Sequence, residues 1–404
     1  MSKFVVNEAE AVTRTLDGSG DLLLVTRNGS IGVGGDGSIA LVEDAGSRDN
    51  TIKIYGQIVA LPGQGLNTST AIRISGDNTH LILGDSAFVT GGQALYADGA
   101  NARIENHGEL IGQGYARACV TLGMGTLINS GRIYGDYAVT LYGASTLINQ
   151  ADGEIFASSL GVLLNSGVGG MSTRTVNHGS IIGLGGARGI DGGVGKDTVI
   201  NDGYIRGSVY LYAGNDVIDN RGGKINGGIY GADGGDTLIT DKSSDKLIET
   251  AFDIGMDTVK STASYVLTDN VEQLMLLGAR NINGTGTDTT NLIAGNKGDN
   301  ILKGLGGDDL LNGGAGRDIL IGGGGADHFQ FQKGNGIDTI RDFANMSDII
   351  DVSGFARVTS FAALKPLIEV HGQDVWVDFG RGDRLILQNT GRNEIDAGDF
   401  VFAF

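Results

Sequence analysis

Short aliphatic runs separated by turn residues recur along the chain, and in the first half they carry a recognisable motif: IENHGELIG, LINSGRIYG, LINQADGEI, TVNHGSIIG and VINDGYIRG. The asparagines of these copies, Asn106, Asn129, Asn149, Asn177 and Asn201, are 23, 20, 28 and 24 residues apart. Aliphatics flanking a turn at such intervals predict the rungs of a parallel β-helix. Ile128, Ile133, Val176 and Ile181 are expected to fill its interior. The asparagines are expected at bends, where they tolerate left-handed torsions and bond their own backbone. Stacked in a solenoid they read as a structural ladder rather than a binding site. A fainter copy, RNGSIGVGG, lies at Asn28.

The densest repeat runs from Gly295 to Gln330 as four nine-residue units: GNKGDNILK, GLGGDDLLN, GGAGRDILI and GGGGADHFQ. Sixth positions hold Asn300, Asp309, Asp318 and Asp327; eighth positions hold Leu302, Leu311, Leu320 and Phe329. This is the G-G-x-G-x-D-x-U-x pattern of calcium-binding solenoids. Glycines let the turn take unusual torsions and aim carbonyls inward. The aspartate adds a carboxylate, and calcium takes six to eight oxygens. The last three residues form a short strand with the large side chain at position eight pointing inward. Two units complete one coil, so Asp309 should stack on Asp327 and Asn300 on Asp318. Asn300 lacks the charge and should make a weaker site.

A sparser set lies upstream. GGVGKDTVI, LYAGNDVID and GADGGDTLI place Asp197, Asp216 and Asp236 at intervals of 19 and 20 residues, about one coil per aspartate. One edge of this region is therefore expected to carry glycine-rich turns and the other the Asn-x-Gly rungs. After the dense block, VWVDFGRGDRLILQ alternates as strand, and a short helix is expected near Ser360 to Ile368. This last segment reads as a cap over an otherwise open solenoid end. At the other end, residues 1–21 are the candidates for a cap.

Composition sharpens this picture. With 71 glycines, 2 prolines and 40% hydrophobic residues, the chain is neither collagen-like nor disordered. A net charge of −18 argues against a nucleic-acid partner and favours a cation for the clustered carboxylates. Their mutual repulsion without it should oppose the compact state. Cys119 is the only cysteine, so no intrachain disulfide can form. The N-terminal residues do not read as an ordinary signal peptide, and no apolar stretch reaches the length of a membrane span.

With these motifs, the chain resembles RTX (repeats-in-toxin) proteins exported by type I secretion, most strongly over Gly192 to Phe404. GNGIDTIRDF, DIIDVSGF and VDFGRGDRLIL are similar to the region that follows the repeats in serralysin-type proteases. That family carries an uncleaved C-terminal export signal, for which Asp399-Phe400-Val401-Phe402-Ala403-Phe404 is the matching end here. The resemblance implies Ca2+ ligands at Asp309, Asp318, Asp327, Asp197, Asp216, Asp236 and, in the cap, Asp338, with Asn300 in the weaker position. It also implies a chain unfolded in low calcium that folds outside the cell.

The expected fold is all-β, a right-handed parallel β-helix and β-roll solenoid with calcium-binding turns and a C-terminal β-rich cap. Its expected divisions are a β-helix over 1–190, hybrid rungs over 191–242, a connecting β segment over 243–285, an RTX β-roll over 286–345 and the cap with its export signal over 346–404. The protease module of serralysins is absent, since there is no HExxH, and there is no G-x-S-x-G elbow. His107 and His178 occupy the same place in two rungs and were candidates to face one another along the solenoid. An extracellular or cell-surface protein of adhesin, matrix or surface-layer type, capable of self-assembly or of holding a surface polysaccharide, is the first functional reading. A polysaccharide lyase or uronate epimerase with RTX modules is the second, and no catalytic set was identified for it.

Overall fold

The computed structural model describes residues 2–61, 68–114, 118–165, 171–251 and 253–403. The chain divides into two compact units, Met1–Gly234 and Gly235–Phe404.

The first unit is a parallel β-helix. One of its faces stacks Leu22–Val25, Thr51–Ile54, His80–Leu83, Ala102–Asn106, Gly125–Asn129, Thr146–Asn149, Arg174–Asn177 and Thr198–Asn201, every neighbour parallel and in register. Side chains alternate in and out along each strand. The inward column Leu23, Ile52, Leu81, Ile104, Leu127 and Leu147 is at most 1% exposed. Burying a side chain of this kind contributes about 1.5–3 kcal/mol, so the column is the main cohesive element of this face. Lys3–Val6 pairs with Leu22–Val25, so the N-terminal residues form a coil of the helix itself rather than a separate cap.

A second inward column, two residues further on, begins with Val25, Ile54 and Leu83 and then changes chemistry. Leu83 is in register with Asn106, and from there the position is held by Asn129, Asn149, Asn177 and Asn201, all fully buried. Each Nδ2 donates to the next Oδ1, at 2.7, 2.8, 2.8 and 2.7 Å, and Asn201 continues to Asn220 at 2.6 Å. The second N–H of Asn129 and of Asn149 holds a turn carbonyl, Gly131 O and Gly153 O, both at 3.1 Å. The expected ladder is present, and Asn220 extends it.

Three details differ from expectation. None of the five motif asparagines has a positive φ; they end strands rather than occupy left-handed bends. Because Asn129 and Asn177 point inward, the period of two turns Ile128 and Val176 outward, where they are half-buried; Ile133 and Ile181 do fill the core. The two histidines do not meet either: His107 pairs with Ser130 and His178 with Asp202, each on the following rung.

Asn129→Leu leaves the Asn106 amide donor and the Asn149 acceptor without their partner and takes one of two donors from Gly131 O, which keeps Glu154 N–H. Each unsatisfied buried group costs about 1–3 kcal/mol. The expected loss is about 3 kcal/mol, read as a lower thermal midpoint of this unit by calorimetry. An unchanged midpoint would mean the ladder contributes nothing net.

The second unit coils with two strands per turn. One sheet stacks Thr237–Thr240, Thr258–Ser261, Gln273–Leu276, Leu292–Ala294, Leu310–Asn312, His328–Gln330 and Ile349–Asp351. The other stacks Tyr265–Val266, Gly284–Thr285, Ile301–Gly306, Ile319–Gly324 and Ile337–Ile340. In the repeat block the register offset is 18 residues, as in Leu310↔His328 and Ile301↔Ile319. Leu302, Leu311, Leu320 and Phe329 are at most 1% exposed, pointing inward as their eighth position requires. At the end of the unit Asp383–Leu387 adds to Ile337–Ile340 in parallel, and Asp374–Gly380 and Ile368–His371 then run antiparallel. Ser360 caps the short helix Phe361–Leu364 in the predicted place.

Candidate calcium site

The sixth-position side chains of the repeat block form two columns, because each turn lies directly over the turn one coil away. In one, Asp309 N–H donates to Asp327 Oδ1 at 3.0 Å; in the other, Asn300 N–H donates to Asp318 Oδ1 at 2.7 Å. Asp318 N–H in turn donates to Asp338 Oδ1 at 3.2 Å, so Asp338 belongs to the second column although its spacing from Asp318 is 20 residues.

The first column is longer than the repeats. Asp327 N–H donates to Asp348 Oδ1 at 3.0 Å, and Asn291 N–H donates to Asp309 Oδ1 at 2.7 Å. Earlier in the unit, Asp236 N–H donates to Asp257 Oδ1 at 2.7 Å and Asp257 N–H to Glu272 Oε2 at 2.9 Å. The strands that follow these residues are in register from Thr237 through Thr258, Gln273, Leu292, Leu310 and His328 to Ile349. Asp257, Glu272, Asn291 and Asp348 were not singled out from the sequence. The available signal was an acidic or amide residue immediately before each strand of this sheet.

Asp257, Asp309, Asp318, Asp327, Asp338 and Asp348 each spend Oδ1 on the neighbouring backbone. The second oxygens of Asp309, Asp318 and Asp338 are buried and meet no hydrogen-bond donor. A buried carboxylate oxygen without a partner is costly, and burial raises the carboxyl pKa. Burial, with Asp327 and Asp308 adding repulsion, pushes Asp309 up to about 7. Burial raises Asp327 and Asp348 as well; burial with repulsion from Asp299 raises Asp318, and burial with repulsion from Asp318 raises Asp338. A hard dication relieves all of these at once.

The glycines of these turns are required by close approach and by torsion. A Cβ on Gly304 would lie 1.9 Å from Asp309 Oδ2, one on Gly313 2.6 Å from Asp318 Oδ2, and one on Gly322 2.1 Å from Asp327 Oδ2. The first glycine of these three units therefore gives the aspartate carboxylate the space that a side chain would take. At position four, Gly307, Gly316 and Gly325 have φ of 91°, 140° and 140°, torsions that L side chains rarely adopt. The donor set, carboxylates and turn carbonyls, suits calcium.

In the first unit the picture is less open. Asp197 N–H donates to Asp216 Oδ1 at 2.6 Å, continuing the same stacking rule. The Asp197 carboxylate, however, accepts from the Thr173 hydroxyl at 2.6 Å and from Gly193 N–H at 2.9 Å, so both of its oxygens have protein donors. Asp236 lies in the second unit, beside Asp257.

This geometry defines a calcium-binding β-roll with stacked aspartate turns. Residues 285–320, 294–329 and 310–340 match the RTX calcium-binding nonapeptide repeat, in four copies. The chain thus carries RTX repeats, and Ca2+ is their ion. Among curated proteins, it is similar to endo-1,3-1,4-beta-glycanase EglC of Rhizobium meliloti (strain 1021), 38% identical over 149 residues. That stretch is 37% of this chain and 30% of the glycanase. Among solved structures, the extracellular lipase LipA of Serratia marcescens aligns with 59% of this chain and 41% of its own, at 18% identity and a TM-score of 0.22. Among the described residues no helix is long and apolar enough to cross a membrane.

Proposed function

We propose that this chain is a secreted protein whose β-roll folds on calcium outside the cell and which serves there as a surface, matrix or adhesion scaffold. The observation that carries this reading is the set of buried carboxylate oxygens left without donors in the stacked turns. Such a fold is poorly stable at low calcium and stabilised by it, which fits a chain exported before it folds. The last residues agree with that order of events. Phe400–Val401 is paired with Ile349–Asp351, and Asp399 is 2% exposed, so an export signal at this end is accessible only before the unit folds. The ladder-built first unit supplies a repetitive face for a partner such as a surface polysaccharide, as solenoids commonly do.

A second reading, a polysaccharide-modifying enzyme, is favoured by the partial likeness to a glycanase. One experiment separates the two. The calcium-loaded chain is incubated with insoluble mixed-linkage β-1,3-1,4-glucan, alginate and pectin, and both sedimentation and soluble products are measured. Calcium-dependent co-sedimentation without new reducing ends or unsaturated uronates supports the scaffold. Sustained product release would replace it with the enzyme, and neither binding nor calcium-dependent self-association by light scattering would remove the scaffold reading.

A further inference from the structure

Ahead of the dense nonapeptide block, the Asp236–Asp257 pair of the column is joined by a third carboxylate that no repeat supplies. Asp236 precedes the strand Thr237–Thr240, Asp257 precedes Thr258–Ser261 on the next coil, and Glu249 follows the short strand Leu247–Ile248. All three are buried, at 0%, 0% and 8% exposure. One carboxylate oxygen of each lies within 4.8 Å of the other two, and no other trio of His, Cys, Asp or Glu among the described residues does this.

Three buried carboxylates at such separations repel one another strongly unless a cation lies between them. The spacing suits one. Oxygens bound to the same calcium at about 2.3–2.6 Å can lie up to about 5 Å apart across the ion. An independent feature points the same way. Asp257 Oδ1 is held by Asp236 N–H, but Asp257 Oδ2, fully buried, has no hydrogen-bond donor. Burial, with Asp253 and Asp236 adding repulsion, also pushes the Asp257 carboxyl up to about 8.

We infer that Asp236, Glu249 and Asp257 bind a calcium ion of their own, outside the nonapeptide block, and that this is the tightest site of the chain. Affinity in carboxylate sites rises with the number of charged ligands. Each turn of the repeat block brings one sixth-position carboxylate to its neighbour, whereas here the column pair Asp236–Asp257 is joined by a third charge from off the column. Glu249 follows the strand Leu247–Ile248, so filling the site ties Glu249 to the residues that precede Thr237–Thr240 and Thr258–Ser261. The family match begins at residue 285, well beyond this cluster. The inference does not depend on whether the chain is a scaffold or an enzyme.

The test is isothermal calorimetry of calcium binding to the full chain, starting from chelator-treated protein, for the parent, Glu249→Gln and Asp318→Asn. The parent should show a tight class of one ion before the weaker repeat sites fill. Glu249→Gln should remove that class or weaken it at least tenfold, while Asp318→Asn spares it and alters only the later sites. A tight class that survives Glu249→Gln overturns the inference. Melting in excess chelator guards against a folding defect. Removing one of three crowded charges should leave the apo midpoint unchanged or higher, with less gain on adding calcium than the parent shows. A lowered apo midpoint would make Glu249 a structural residue and overturn the assignment as well.

Discussion

Stripping calcium with excess chelator will abolish or sharply lower the thermal transition of the unit Gly235–Phe404 and leave that of Met1–Gly234 close to its original midpoint. The two units differ in what holds their turns. In the first, aliphatic and asparagine columns run through the interior, the asparagines bonded amide to amide from Asn106 to Asn220, and Asp197 has donors on both oxygens. In the second, Asp309, Asp318 and Asp338 each keep a buried oxygen with no donor. At a hundredfold excess over Kd each ion adds about 2.7 kcal/mol to the folded state, so three sites are worth about 8 kcal/mol, comparable with the whole stability of a domain.

The pH dependence should invert with the metal. Without calcium, the raised pKa values mean that the folded unit holds protons the unfolded chain releases. Its stability is greatest below the unfolded carboxyl value of 3.8 and falls as pH rises towards the folded values, about 7 for Asp309 and about 8 for Asp257. With calcium, the ion replaces those protons and binding tightens over the same range. Each pKa unit is about 1.4 kcal/mol. Calorimetry at pH 5 and pH 8 should therefore show the chelated unit melting lower at pH 8, by about 5 °C or more, and the calcium-loaded unit melting higher. A single transition that ignores both calcium and pH would refute calcium-dependent folding.

Gly304→Ala will destabilise this unit by roughly half as much as chelation does. The new methyl would stand 1.9 Å from Asp309 Oδ2 and 2.5 Å from Gly322 O, so either the carboxylate or the next coil must move. Overpacking of this kind costs about 1–3 kcal/mol. Loss of the ion that Asp309 is proposed to hold adds about 2.7 kcal/mol. The expected total is about 4–6 kcal/mol in calcium and clearly less in chelator, with at least one ion lost from the stoichiometry. Gly324→Ala is the control, since a Cβ there meets nothing within 4 Å. Equal effects of the two variants, or equal effects of Gly304→Ala with and without calcium, would show that the first glycine does not guard an ion.

How much of this was legible beforehand follows from the length scale of each signal. Two nine-residue units close one coil, so the stacking of Asp309 on Asp327, the stacking of Asn300 on Asp318, and the inward direction of Leu302, Leu311, Leu320 and Phe329 follow from local spacing alone. The asparagine ladder was visible too, because one residue type recurs just before each turn. The phase of its strands was not. Ile128 and Leu127 are equally apolar, and only the inward stacking of Asn129 on its neighbours turns Leu127 into the core and Ile128 out. Outside the nonapeptides the coils vary in length, with register offsets of 21, 15 and 19 residues at Thr237↔Thr258, Thr258↔Gln273 and Gln273↔Leu292. No fixed period can then align Asp236, Asp257 and Glu272 into a column. Glu249, in a loop, has no period at all. Repeat chemistry is written in the sequence where coil length is constant; where loops change that length, only the folded register decides which carboxylates meet.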